Sequence, residues 1–194
     1  MLKNVLVVIC LFIVSTSYGQ TEDEIELPFK TIPDYPETYS AGTVAARMVD
    51  GLGFRFYWAT EGLRPQDLEF RPGEEMRSIE ETIDHIYNMS VLILNAVKQS
   101  KEKTVGNATY EMKRAETLKN LKTVRDVLIV SSDDDFKNFV SRFGKNVEFP
   151  FWNLVNGPIA DMLWHCGQVV SFRRSAGNPF NSQVSVFTGR LRDQ

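Results

Sequence analysis

The chain contains two histidines, His85 and His165, and each falls on a stretch with helical periodicity. The second closes the run Asp161-Met-Leu-Trp-His165, whose i, i+4 spacing turns a carboxylate and an imidazole to one side of a helix. Imidazole with carboxylate suits Zn²⁺, Ni²⁺ or Fe²⁺, and three protein ligands with an open position make a reactive site rather than a structural one. The same pair has a plainer explanation, a hydrogen-bonded Asp161–His165 couple that fixes helix register. Residue types and spacing alone leave both open.

Four helical segments must position these residues. The first is expected from about Ser40 to Glu61, with Val44, Met48, Leu52 and Ala59 on one side and Gly51 and Gly53 permitting close helix contact. Leu63 to Gly73 is a connection punctuated by Pro65 and Pro72. The second helix begins near Ser78, followed three residues later by Glu81 in a capping-box pattern. Its stripe is Ile79, Ile83, Ile86, Met89, Ile93 and Val97, with His85 at the edge, half facing the core. The third spans Glu111 to Ser131, with Leu118, Leu121, Val124, Arg125 and Leu128 in register.

Ser132-Asp133-Asp134-Asp135 reads as the capped, acidic first turn of a short helix ending near Phe143, closed by Gly144. Three successive aspartates could suggest calcium, but the loop glycine and distal glutamate of a calcium loop are missing. Pro158 either opens the last helix at its first position or kinks a helix begun at Trp152; a start near Gly157 is preferred, with the helix running to Ala176, where Gly177-Asn178-Pro179 stops it. Ile159, Met162, Leu163, Cys166, Val169 and Val170 form its apolar stripe. Asp161, His165, Gln168 and Phe172, with Trp164 beside them, form the other side, which large aromatics mark as the lining of a cleft. Cys166 reads as a small buried hydrophobe, and Arg173 and Arg174 as complements to the helix dipole. The fold class that follows is all-α, a four-helix bundle, with no strand expected in the tail, residues 181–194.

The first residues have the pattern of a secretory signal: Lys3, an apolar run from Val5 to Val14 too short to span a bilayer, and the small-x-small triplet Ser17-Tyr18-Gly19. Removing residues 1–19 leaves 175 of 194 residues, 21 basic side chains against 25 acidic, and one cysteine, Cys166. An exported, mildly acidic protein without a basic stripe points away from nucleic acid, and its stability must come from its core rather than from disulfides. Periplasmic or extracellular location, no stable membrane insertion after cleavage, and an extended, unpacked proline-bearing lead-in over residues 20–39 are the matching expectations.

Three stretches give the chain a family likeness: Arg71-Pro72 through Arg77-Ser78-Ile79 into Asp84-His85-Ile86, the run Asp161-Met-Leu-Trp-His165-Cys-Gly-Gln168, and Arg173-Arg174 before Gly177-Asn178-Pro179. In order and spacing, over about residues 40–180, the chain resembles the DinB/YfiT-like superfamily of metal-binding four-helix bundles. The resemblance implies a divalent metal held by one histidine of the second helix and a His-x-x-x-His pair of the last. His85 and His165 match these ligands, and Asp161 stands where the family usually has histidine. Gln168 matches a recurrent neighbour of the final ligand and becomes a candidate for holding a cofactor.

Characterised relatives imply thiol transfer or isomerisation with a low-molecular-weight thiol; metal-activated water attacking a small substrate is the other chemistry that fits. Two function classes therefore stand side by side. One is an exported metal-dependent transferase or hydrolase acting on a small molecule. The other is a non-catalytic bundle that binds a ligand or partner and keeps Asp161 and His165 as a structural pair. A small-molecule substrate and, in a homodimer, a second copy of the chain are the candidate partners. The export reading predicts that intact mass of secreted protein lacks residues 1–19 and begins at Gln20; a retained Met1 on exported material contradicts it.

Overall fold

The computed structural model describes residues 26–144 and 146–192, so the signal sequence expected over residues 1–19 lies outside the described residues. Three helices of equal length, α1 (Ala41–Thr60), α3 (Ile79–Lys98) and α4 (Tyr110–Ile129), pack with α6 (Ala160–Ser175) as the bundle. Helix α4 lies between α1 and α3 on one side, and α6 closes the ring between the same two helices on the other. A one-turn α2 (Pro65–Leu68) sits in the connection from α1 to α3.

The capping signals act as their chemistry requires. Ser78 Oγ accepts from the Glu81 amide at 3.1 Å while Glu81 Oε2 accepts from the Ser78 amide at 2.9 Å, and Arg71 Nη2 steadies the other carboxylate oxygen at 2.8 Å. The α3 stripe is buried throughout, from Ile79 to Val97, against Leu118, Leu121, Val124 and Leu128 of α4. Arg125, in the same register, pairs with the buried Asp50 of α1 at 3.2 Å. Burial raises the Asp50 carboxyl above its ordinary range while Arg125 opposes that rise.

Helix α1 departs from its expected stripe. Leu52 and Ala59 are buried, but Val44 is 49% exposed and Met48 37%. The reason is that burial on α1 changes along its length: its C-terminal half is wrapped on nearly every side, so Phe54, Phe56, Tyr57 and Trp58 are all buried. Part of that wrapping comes from the lead-in, whose described residues, 26–39, carry no helix or strand and yet are packed. Phe29 lies directly over Gly53, where any Cβ would enter its ring, and Trp58 Nε1 donates to Lys30 O at 3.1 Å. Gly53 thus admits an aromatic ring, while the close helix approach falls at Gly42, under the carbonyls of Leu128 and Ser131.

Two further expectations are corrected after α4. In place of a helix ending near Phe143 there is a single 3-10 turn, Asp135–Lys137, followed by the antiparallel hairpin β1 (Val140–Phe143) and β2 (Val147–Pro150). Asp135 caps back onto Ser132, accepting from its amide and hydroxyl at 2.8 Å, so the acidic run closes a turn rather than opening a helix. The β-branched and aromatic residues then favour strand, with Phe143 against Phe149 and Gly144 at φ 62° in the turn. The tail likewise forms a small hairpin, β3 (Val184–Ser185) with β4 (Arg190–Leu191), joined to the lead-in by Ile32 N–H donating to Gly189 O at 2.9 Å.

The last helical segment starts earlier than Gly157. It opens as α5 (Phe151–Leu154), passes through a π turn over Val155–Ile159, and continues as α6. Pro158 lies inside this path, and the chain kinks just before it at Gly157, whose φ of −95° and ψ of −110° are not helical, so the missing N–H of Pro158 falls at the bend. Among the described residues no helix is long and apolar enough to cross a membrane.

Arg173 is not a surface dipole complement. Only Arg174 is exposed; Arg173 is 3% exposed and donates through Nη1 to Ala59 O and Glu61 O, both at 2.9 Å, at the end of α1. Its Nε reaches Asn178 O at 2.8 Å. Asn178 continues the network through Nδ2 to Gly62 O and to Asp67 Oδ2, and Arg64 beside Asp67 holds that carboxyl well below the usual range. Replacing Arg173 by Met orphans buried carbonyls and is expected to cost about 3 kcal/mol or more, read as a fall in the urea midpoint without a change in far-UV signal.

Candidate metal centre

Helix α6 presents three faces. Met162, Cys166, Val169, Phe172 and Arg173 point into the bundle; Asp161 and His165 lie on the flank toward α3; Leu163 lies on the flank toward α1. From the facing edge of α3, His85 reaches the same point. Its Nε2 is 3.2 Å from Asp161 Oδ2, and His165 Nε2 is 3.5 Å from the same oxygen. The two imidazoles meet edge to face with centroids 4.7 Å apart, and one ligand atom from each of the three residues lies within 4.8 Å of the others. Residues 76 positions apart in the chain are therefore brought to one place. This His/Asp cluster is able to coordinate a metal ion.

Gln168 completes the geometry one turn on. Its Oε1 lies 2.6 Å from His165 Nδ1, a contact in which Nδ1–H donates to the amide oxygen while Nε2 is turned toward Asp161. Gln168 thus meets the imidazole and orients it. The signal for this was the three-residue spacing from His165 to Gln168, which places both on one helix face. His165 Nε2 and Asp161 Oδ2 stand 3.5 Å apart, a spacing that a proton on Nε2 or a cation between the two makes favourable.

The surroundings differ from an aromatic-lined cleft. Trp164 is 72% exposed and points away from the bundle, while Phe172 belongs to the core. His165 is mostly covered, whereas His85 and Asp161 remain about one-third open to solvent, so the cluster lies at the bundle surface with an accessible side. Beside it, Asp84 of α3 is paired with Lys113 of α4 at 2.6 Å, which gives that carboxylate a local partner of its own.

Cys166, the neighbour of His165 in sequence, is turned into the core, where burial pushes its thiol up to about 12 and the charge of Arg55 opposes this only in part. It is a packing residue, as its place on the apolar stripe implies.

Fold and site together define a class: a four-helix bundle whose second and last long-helix partners share a His/Asp cluster suited to a metal ion. Comparison with family models, curated proteins and solved structures gives no match. The burial of Cys166 predicts that iodoacetamide at pH 8 leaves it unmodified in the folded protein and modifies it completely once denaturant is added; rapid native-state labelling would show an open core at this turn.

Proposed function

We propose that the protein is an exported, DinB-like metal-dependent enzyme in which His85, Asp161 and His165 hold a divalent cation, Zn²⁺, Fe²⁺ or Ni²⁺, and act on a small molecule by group transfer or hydrolysis. The observation that carries this reading is the convergence of three ligand atoms from two helices within 4.8 Å, with one imidazole held through Nδ1 by Gln168 so that Nε2 faces the cluster. Two imidazoles and one carboxylate leave coordination positions open on the solvent side. A bound cation would supply Lewis acidity there, polarising a substrate bond or acidifying water. The chain's own part is to fix His165 through Gln168, to keep His85 at the edge of α3, and to place Asp161 between the two imidazoles.

The family likeness supports the same reading through residues whose roles are now visible. Arg71 braces the cap that starts the His85 helix, and Arg173 with Asn178 ties down the end of the Asp161–His165 helix. Asp161 in place of histidine makes the donor set harder and leaves a carboxylate oxygen beside the open positions. The second reading, a non-catalytic bundle, draws on the direct His85–Asp161 hydrogen bond at 3.2 Å, which satisfies both groups without a metal.

Titration of Zn²⁺ and Fe²⁺ into the parent, Asp161→Ala and Asp161→His, following occupancy and thermal midpoint together, separates the two. A metal centre predicts that Asp161→Ala weakens binding by more than the ~10–100-fold of an outer-shell change, and that Asp161→His binds Zn²⁺ at least as well as the parent. A structural pair predicts a stability loss of ~1–3 kcal/mol in both variants with unchanged occupancy.

A further inference from the structure

The exposed part of α1 carries a second feature, on the flank of α6 opposite the metal cluster. Val44 and Met48 open into a cavity of about 670 Å³ bounded by Tyr35, Tyr39 and, from α6, Leu163. A second cavity, of about 820 Å³, shares Tyr39, Val44 and Met48 with the first and continues past Phe151 and Trp152, the latter 79% exposed. The two are one apolar trough along the outer face of α1. The lining is apolar by composition, and apolar surface of this extent is uncommon without an occupant.

One end of the trough is charged. Arg47 and Arg55 stand in one row of α1 with Gly51 between them, and the missing side chain at Gly51 lets both guanidiniums border the same opening. Both are half-buried. The other half-buried arginines, Arg114 and Arg125, each meet a carboxylate, Glu61 and Asp50 respectively. Among the described residues neither Arg47 nor Arg55 forms an ion pair, although the buried Asp50 carboxylate, held by Arg125, also feels the charge of Arg47. Arg47 Nη1 donates to Pro33 O at 3.0 Å and its guanidinium lies 5.0 Å from the Tyr35 ring; Arg55 Nη1 donates to Gly51 O at 2.9 Å. Each guanidinium has five N–H donors, of which these bonds occupy only Nη1; the two side chains stand between the trough and a second opening lined by Asp34 and the β3–β4 hairpin. Withdrawing a cation from water without an anion is unfavourable, and an incoming carboxylate would accept the spare donors in fork geometry.

We infer that the trough binds a single-chain amphiphile with a carboxylate head, a free acyl acid, its chain along Val44 and Met48 and its head bridging Arg47 and Arg55. The stretch of α1 from Val44 to Arg55 spans about 16 Å of helix axis, enough for an extended medium-length chain. This binding is independent of the metal cluster, because Leu163 and His165 face opposite flanks of α6.

Calorimetric titration of the full chain with sodium decanoate, below its micelle concentration, tests this. One saturable site with a Kd of about 10–100 μM is expected. Decanol and decylammonium are expected to bind at least ~10-fold more weakly, because neither supplies an acceptor charge to the guanidiniums. Arg55→Gln should weaken decanoate by ~10-fold or more, and Met48→Glu should abolish it, each with a thermal midpoint close to the parent's since both side chains are partly exposed. Chelator treatment and Asp161→Ala should leave decanoate binding unchanged, which separates failure here from failure of the metal reading.

Absence of a saturable site, equal affinity for decanol, or an unaltered Kd in Arg55→Gln overturns the proposal. So does a concentration-dependent dimer in sedimentation that Met48→Glu dissociates, which would make a second copy the occupant. Binding to phosphatidylglycerol vesicles with none to decanoate would make the face a membrane contact and would also overturn it.

Discussion

The arrangement rests on one buried cation. Arg173 is drawn out of water at the end of α6, and what makes this tolerable is a ring of acceptors: the carbonyls that α1 cannot satisfy itself at its own C-terminus, and the backbone and side-chain oxygens of Asn178. Each side of that contact is unfavourable without the other. Because the contact fixes the end of α6 against the end of α1, and α6 also packs on α3, it helps set the height at which Asp161 and His165 stand beside His85. The His/Asp cluster therefore depends on a polar knot that contains none of its three residues. Asn178, Asp67 and Arg64 extend the knot into the α1–α3 connection, so that one network holds both ends of the path between the two ligand-bearing helices.

Helix α6 divides the molecule's chemistry by face. Its inner face is packing, with Cys166 inert within it. The flank toward α3 gathers nitrogen and oxygen ligands, and the flank toward α1 contributes Leu163 to an apolar trough that ends in arginines. A helix with almost no overall amphipathic bias is what such a three-way division requires. No single apolar stripe can describe a segment that meets core, polar site and groove in turn.

Much of the bundle was legible in sequence, for reasons that particular residues make plain. The α3 stripe and the Ser78/Glu81 cap are local signals, and local signals survived packing. The convergence of His85 with Asp161 and His165 was legible as edge positions on two helices, although the distance between them is a property of packing. What could not be read locally was decided by distant partners. Val44 and Met48 look like core until the wrapping of α1 is known to stop short of them. Arg173 looks like a dipole complement until the carbonyls of α1 arrive to receive it. The short hairpin after α4 was hidden by the acidic run before it, whereas Pro158 left a first turn and a kinked helix both open, a choice that packing makes in favour of the kink.

The bend at Gly157 has an evolutionary side. Its φ of −95° and ψ of −110° are not helical, so the segments before and after it are aimed separately. Phe151 and Leu154 before the bend and Ile159 and Met162 after it all reach the core, so each segment has its own seat. Pro158, with no N–H to return to the preceding turn, keeps the bend from closing into regular helix. In a lineage of such bundles, the angle of this bend would therefore set where Asp161 and His165 stand relative to His85, with no substitution at any of the three positions.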